Sequence, residues 1–339
     1  MLKFTKYNGI LFVGDPHLWS EGPGKRLDSD IFTQIVLNKI NQAVDIALRD
    51  NLYLIFLGDL FHMHTENNID MLTKLTRILK KFPEPCATIE GNHEKSKTKL
   101  SDDVALTLLR EAGTIYTLEK SEIWAKFEFN NSTTVYLGGS PYGDPLPTQV
   151  LLPKNELNKD TPIIWLSHHN LDFGETYPGV IPVKEIKGVK MLVNGHIHKT
   201  KKPLKLGGMT AHNPGNITRL STDCKEHIPS VWKWTPKQGY DLEPIDLIFE
   251  KHVFNLIGKQ IEVPTTPAII ADEVTPQQTS NFVIKMQQQA NEFDPSRTDD
   301  GVYLKENIRA LAKAMNLDES FTNDMIDIAD ETISDTKSN

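Results

Sequence analysis

The sequence has little sulfur and no long apolar run. Two cysteines in 339 residues, Cys86 and Cys224, cannot build a disulfide framework, and neither stands in a C-x-x-C pair. A disulfide-stapled secreted scaffold is excluded, and a reducing compartment is expected. No stretch approaches the roughly 20 apolar residues that cross a bilayer. The start, M-L-K-F-T-K-Y-N-G, lacks the apolar segment and cleavage site of a signal peptide. The expectation is a soluble, cytoplasmic protein with no membrane role, nucleoid-associated in a bacterium or in the host cytoplasm if viral. Excess charge is also scarce over most of the length. The net charge is −8, but residues 281–339 hold 12 Asp and Glu against 6 Lys and Arg, which leaves residues 1–280 nearly neutral. A polyanionic substrate is not excluded, because the local sign of charge governs binding.

What is there is ordinary globular composition, 39% hydrophobic and 24% charged, arranged as short apolar runs alternating with helical periodicity. That alternation predicts an α/β fold. Strands are expected at 10–13, 52–57, 87–89, 135–137, 163–166 and 191–193, each running into a polar or glycine-containing segment. A helix opened by Asp28 or Ser29 carries Ile31, Ile35, Ile40, Val44 and Leu48; a second carries Leu72, Leu75 and Leu79 and stops before Phe82-Pro83. Residues 114–140 read as a β-meander turning at Asn130-Asn131. The expected organisation is a catalytic domain over 1–221, a small β-rich capping extension over 222–257, a Pro- and Thr-rich linker over 258–280, and an acidic helical tail over 281–339. In the tail, Phe282, Met286, Ala290 and Phe293 make one apolar stripe, Leu304, Ile308, Leu311 and Met315 a second, and Phe321, Met325 and Ile328 a third.

The residues with chemistry follow the strands. Asp15 and His17 stand in G-D-P-H after the first, Asp59 in G-D-L-F-H after the second, and Asn92 and His93 in G-N-H-E after the third. His168 follows I-I-W-L-S, and His196 and His198 stand in G-H-I-H after M-L-V-N. Carboxylate oxygens and imidazole nitrogens in this number suit borderline divalent cations, and a two-ion hydrolytic centre needs six or seven such groups. Strand carboxyl ends are also where ligands bind in α/β sheets, so groups far apart in sequence can converge. His169 is a rival to His168, but adjacent residues on a strand face opposite ways, so only one can ligate. His212 is read as a turn residue and Cys86 as a buried strand thiol.

In this order, these motifs resemble the calcineurin-like metallophosphoesterase superfamily over residues 9–216. The resemblance implies a β-sandwich flanked by helices and two divalent metal ions, usually Mn²⁺, with Mg²⁺, Fe or Zn in relatives. It implies that Asp15, His17 and His198 hold one ion and Asn92, His168 and His196 the other, with Asp59 bridging. His93 would protonate the departing oxygen or stabilise charge as an imidazolium; its alternative is to orient a neighbouring ligand.

Within the superfamily, G-D-L-F-H resembles the SbcD-type DNA repair nucleases, in which the residue matching His62 assists exonucleolytic cleavage. A-H-N-P-G-N-I-T-R-L and the V-W-K-W segment resemble the end of their nuclease domain and the start of their capping domain. Lys95, Lys97 and Lys99 follow G-N-H-E, and Lys199, Lys201, Lys202 and Lys205 follow G-H-I-H. They are placed to contact DNA phosphates, or form a solvated charge run. The resemblance further implies a homodimer and docking of the C-terminal helices on an SMC-like coiled-coil ATPase; the alternative is a tail packed on its own body. Two departures stand out: Glu94 replaces the usual Asp at a position that is not a ligand, and the capping region is short. The expected activity is an Mn²⁺-dependent SbcD-like exonuclease and endonuclease in DNA end processing. The alternatives are a small-molecule or cyclic-nucleotide phosphodiesterase or phosphatase with the same ions, and a scaffold that kept the fold without chemistry.

Overall fold

The computed structural model describes residues 1–254, apart from 25, 96–99, 155, 157, 159 and 175–179, together with residue 326. The chain divides into two units, Met1–Ile257 and Gly258–Asn339. In the second, Ile326 is helical and buried; the expected linker and apolar stripes lie outside the described residues.

The first unit runs β1 (Leu2–Thr5), β2 (Gly9–Val13), α1 (Phe32–Asp50), β3 (Leu52–Phe56), α2 (Ile69–Leu79), β4 (Cys86–Ile89), α3 (Ala105–Glu111) and β5 (Ile115–Leu118). It continues with β6 (Glu122–Glu128), β7 (Thr134–Ser140), β8 (Ile163–Ser167), β9 (Leu171–Asp172), β10 (Ile181–Pro182) and β11 (Met191–Asn194). Then follow β12 (Lys201–Leu206), β13 (Met209–Asn213), β14 (Ser230–Trp234) and β15 (Glu243–Asp246). Two large sheets result, ordered β15-β14-β2-β3-β4-β5 and β1-β6-β7-β8-β11-β13-β12. All six strands read from the sequence are present, as β2, β3, β4, β7, β8 and β11.

Those runs are almost wholly apolar because both faces of each strand are covered. On β7, β8 and β11, Val135, Leu137, Ile164, Leu166, Met191 and Val193 join the core that also takes β2 and β3. The alternate residues Tyr136, Ile163, Trp165 and Leu192 enter a second core with Phe173, Ile186 and Val189. The period of two therefore survives inside the apolar runs. Helix α1 packs on β2 and β3 and against α2, and α3 packs on β5. The described helices thus lie with the six-stranded sheet, while loop residues cover the outer face of the other. Helix α1 ends where Asn51 takes a left-handed backbone and its N–H returns to the carbonyls of Ala47 and Leu48. Asn68 caps α2 by accepting the Met71 N–H.

Two expectations need correction. Residues 114–140 are not one meander. β5 pairs in parallel with β4, Cys86 opposite Ile115, whereas β6 and β7 form an antiparallel hairpin in the other sheet. A parallel neighbour requires a crossover, which α3 supplies between β4 and β5. The hairpin does turn at Asn130-Asn131, where the Phe129 N–H reaches the Thr133 carbonyl.

The segment 222–257 is also no separate cap. β14 pairs antiparallel with β2, Trp232 opposite Phe12, and carries β15 on its outer edge. Val231 and Trp234 are buried in the main core, and the Trp234 indole N–H donates to the Gly239 carbonyl at 2.8 Å. Ending the chain at residue 221 is expected to unfold the domain, since it uncovers β2. Trp234→Ala should cost about 3–5 kcal/mol in denaturant unfolding; a loss below about 1 kcal/mol would contradict this placement.

Candidate metal centre

Loops leaving β2, β3 and β4 of one sheet meet loops leaving β8 and β11 of the other, and backbone bonds lock them together. The His17 and Leu18 N–H groups donate to the carbonyls of Asp59 and Leu60, at 2.9 and 2.8 Å. The His196 N–H donates to Asp15 Oδ1 at 2.9 Å, and the His93 N–H to Asp59 Oδ1 at 2.9 Å. Tight meetings of this kind force unusual backbone. Asp15, His17, Asp59 and His196 have φ of 30°, 48°, 47° and 71°, in the left-handed region. Four residues expected to ligate therefore sit among the seven described non-glycine residues with positive φ. Such strain persists only where surrounding structure enforces it. Gly58 (φ +96°) and Gly195 both abut His168: a Cβ would stand 2.3 and 2.8 Å from its Nδ1.

Around this frame all seven expected ligands converge, with His62 and His93. Asp59 lies between two groups: its Oδ2 is 3.2 Å from His168 Nε2 and 3.6 Å from His17 Nε2. On one side His17 Nε2 is 2.9 Å from His198 Nε2. On the other, Asn92 Oδ1 is 3.2 Å from His168 Nε2 and 2.9 Å from His196 Nδ1. Asp15 Oδ1 is 3.5 Å from His168 Nδ1, and Asp15 Oδ2 is buried with no hydrogen-bond partner among the described residues. His168 donates from Nδ1 to the Leu57 carbonyl at 2.6 Å, which aims Nε2 at Asp59 and Asn92. That is how a metal-binding imidazole is usually fixed. The donors fit divalent cations. An orphaned carboxylate oxygen and imidazole nitrogens facing one another and their acceptors at 2.9–3.6 Å are costly without positive charge between them. Two groups have ligand atoms close enough to hold an ion, His17 with His62 and His93, and Asp59 with His168 and His196.

Electrostatics separate the groups. Burial drives the Asp15 carboxyl up to about 7, with Asp59 adding to it against the pull of His168. Burial also opposes charge on Asp59, but His168 and His93 outweigh it and hold the carboxyl well below its usual range. Burial resists protonation of His168, yet Asp59 and Asp15 lift it to about 10. Burial, then His168, pushes His196 down to about 3, and burial, then His93, pushes His17 well below its usual value. His17 and His196 are thereby kept neutral, the form that binds metal.

His93 Nδ1 donates to the His62 carbonyl at 2.6 Å, and its Nε2 stands 4.0 Å from Asp59 Oδ2. His62 Nδ1 is 3.4 Å from His17 Nδ1, and its ring lies 4.3 Å from Trp19. His169 faces away as expected, bonding the Asp144 carbonyl through Nε2 at 2.7 Å. His212 is a strand residue of β13 rather than a turn, with Nε2 on the Tyr240 carbonyl at 2.8 Å. Cys86 is a buried strand thiol.

The lysine expectation divides. Lys95 turns inward, 3.0 Å from Glu90 and donating to the Tyr142 carbonyl at 2.6 Å, so it is no free phosphate contact. Its location beside a buried carboxylate explains this, since an unpaired Glu90 would be costly. Lys97 and Lys99 lie outside the described residues. Lys199, Lys202 and Lys205 are exposed and Lys201 half-buried, the last three on β12 at the edge of its sheet.

Glu94 was passed over in the sequence because it is no ligand. It is fully buried and receives the N–H groups of Leu60 (2.6 Å), Gly91 (2.8 Å) and Asp59 (3.0 Å). Burial, then Asp59, raises its carboxyl to about 8. Asn194 was also missed: its amide joins the His169 backbone to Asn213 and so ties β8 to β13. Both fasten neighbouring loops by hydrogen bonds, a role that no sequence motif marks.

Residues 9–200 match the calcineurin-like phosphoesterase family, more than half of the chain, and the chain belongs to that family. Membership implies a metal-dependent phosphoester hydrolase, in a family that typically uses a dinuclear site. Among solved structures, TT1561 of Thermus thermophilus is similar at 13% identity and TM-score 0.40, over 71% of this chain and 99% of that one. A 5'-nucleotidase precursor from the same organism is similar at 13% identity and TM-score 0.41, over 71% of this chain and 54% of that one. No curated protein matches the sequence. Among the described residues, no helix is long and apolar enough to cross a membrane.

Glu94→Ala should strand three backbone N–H groups, costing about 3 kcal/mol or more in stability and weakening Mn²⁺ binding about 10–100-fold. Calorimetric titration with Mn²⁺ checks this; unchanged affinity would contradict the supporting role.

Proposed function

We propose that the chain is a dinuclear phosphodiesterase whose substrate is DNA, acting as an SbcD-like exonuclease and endonuclease subunit with Mn²⁺. The observation that carries the dinuclear reading is the Asp59 carboxylate, whose Oδ2 faces His168 on one side and His17 on the other. Asp15, His17 and His198 would hold one ion, and Asn92, His168 and His196 the second, with Asp59 shared. A bound cation pair lowers the pKa of a coordinated water and offsets charge developing on phosphoryl oxygens. The protein's part is to hold seven ligands in register and to exclude bulk water, since Asp15, His17, Asp59 and His168 are buried. Water attacks phosphorus in line with the leaving group, one P–O bond forming as the ester P–O bond breaks. His93 delivers a proton from Nε2 to the departing oxygen. Its ring is oriented by the Nδ1–H bond to the His62 carbonyl, with Nε2 4.0 Å from Asp59 Oδ2.

What supports DNA as substrate is the G-D-L-F-H motif, with His62 beside His17, and the exposed lysines after G-H-I-H. The inward Lys95 favours the second reading, a small-molecule phosphodiesterase, because it removes one cation from the rim. With Mn²⁺, purified protein should degrade linear duplex DNA, and Asp59→Asn or His93→Gln should lower the rate at least about 100-fold. His62→Ser should impair exonuclease action more than hydrolysis of a small diester. Cleavage of small diesters alone would sink the DNA reading.

The partner reading is an SMC-like coiled-coil ATPase bound through residues 282–328, and a homodimer formed by α1 and α2, where Ile69 is exposed. Truncation after residue 257 should leave hydrolysis of a small diester intact and abolish co-purification with such an ATPase; retained co-purification would count against it.

A further inference from the structure

Away from the metal centre, the loop after β2, the first turns of α1 and the segment beyond β13 enclose a cleft of about 290 Å³, measured to its open mouth. Arg26, Lys39 and Arg219 line it, and they are 7%, 4% and 4% exposed. Three buried cations in one place are unusual, because each must be compensated. Arg26 is compensated, by a two-pronged pair with Asp28 at 2.7 Å for each contact. Arg219 is held by the backbone carbonyls of Lys225 and Lys251 at 3.0 Å, and by that of Glu250, which carry no full charge. Lys39 has neither ion pair nor hydrogen bond among the described residues; its ammonium lies 5.7 Å from the centre of the Phe249 ring. Burial, then Arg219 and Arg26, push that ammonium down to about 7. Thr218, also lining the cleft, is 1% exposed, and its Oγ1 has no hydrogen-bond partner among the described residues. Glu250 is the other carboxylate in the lining, and among the described residues no ion pair joins it to the three cations.

The cleft therefore presents more buried positive charge than negative, together with a hydroxyl lacking a partner. The Lys39 ammonium and the Arg219 guanidinium lie 5.7 and 4.9 Å from the centre of the Phe249 ring, and both residues line the cleft. A hydrophobic ligand would leave Lys39 and Thr218 unsatisfied, and a cation would be repelled. An oxyanion would accept from both and neutralise the surplus.

We propose that this cleft is an anion site, distinct from the metal centre, that takes one phosphate-like oxyanion through Lys39, Arg219 and Thr218. The chain reaches it directly from the catalytic loops. The Ile217 N–H donates to the Gly14 carbonyl, beside Asp15, and Thr218 and Arg219 follow. Filling the cleft would thus steady the segment on which the first catalytic loop rests.

The test is the unfolding midpoint of the full chain in excess EDTA, with inorganic phosphate or with chloride at equal ionic strength. At ten times its dissociation constant, phosphate should raise the wild-type midpoint by about 3 °C, and chloride should not. Lys39→Met should abolish the shift. Thr218→Val, which keeps the side-chain shape, should weaken phosphate binding about fivefold and serves if Lys39→Met does not fold. Equal shifts in wild type and variants would place the anion elsewhere and overturn the proposal, as would a wild-type shift no larger with phosphate than with chloride.

Discussion

One buried carboxylate governs the arrangement. Asp59 sits in the loop after β3 with a left-handed backbone, its Oδ2 facing imidazoles from both sides and its Oδ1 taking the His93 N–H. A carboxylate without solvent is stable only next to positive charge. The fold meets that demand with His168, from the loop after β8, and sets the neutral His17, from the loop after β2, on the other side. Much of the surrounding structure is explained by holding those three together. The backbone bonds between residues 17–18 and 59–60 fix the first pair, and the Leu57 carbonyl orients His168. Gly58 and Gly195 clear the space beside that ring.

Glu94 is a second layer of the same constraint. Its carboxylate gathers N–H groups from the Asp59 and Gly91 loops, so two ligand-bearing turns are fastened to one side chain. Of the four left-handed turns at Asp15, His17, Asp59 and His196, Glu94 fastens that of Asp59, and the strands beneath are buried on both faces. A rigid base and a crowded, electrostatically divided rim suit a centre that must keep its ligands in place as substrate comes and goes.

The strand runs are legible because their apolar stretches end in glycine and polar residues, and the candidate ligands stand out because Asp, Asn and His recur at those ends. What escaped was long-range pairing. Nothing in V-W-K-W tells that it lies antiparallel to β2, since the pairing depends on Trp232 meeting Phe12 across more than two hundred residues. Likewise I-Y-T-L reads as the first strand of a meander unless α3, only Ala105–Glu111, is recognised as a crossover. Glu94 and Asn194 are illegible for another reason: Glu94 bonds backbone N–H groups, and Asn194 bonds the His169 backbone and the side chains of Ser167 and Asn213, partners that no motif marks. Lys95 was misjudged because its counter-ion, Glu90, sits at the end of the preceding strand and reads as surface charge until its burial is known.

The central claim is that Asp59 is shared by two cations. Anomalous diffraction from crystals soaked in Mn²⁺ tests it most directly. Two peaks are predicted on either side of the Asp59 carboxylate, one beside His17 and His198 and one beside Asn92, His168 and His196. A single peak, or none within reach of Asp59, would contradict the account.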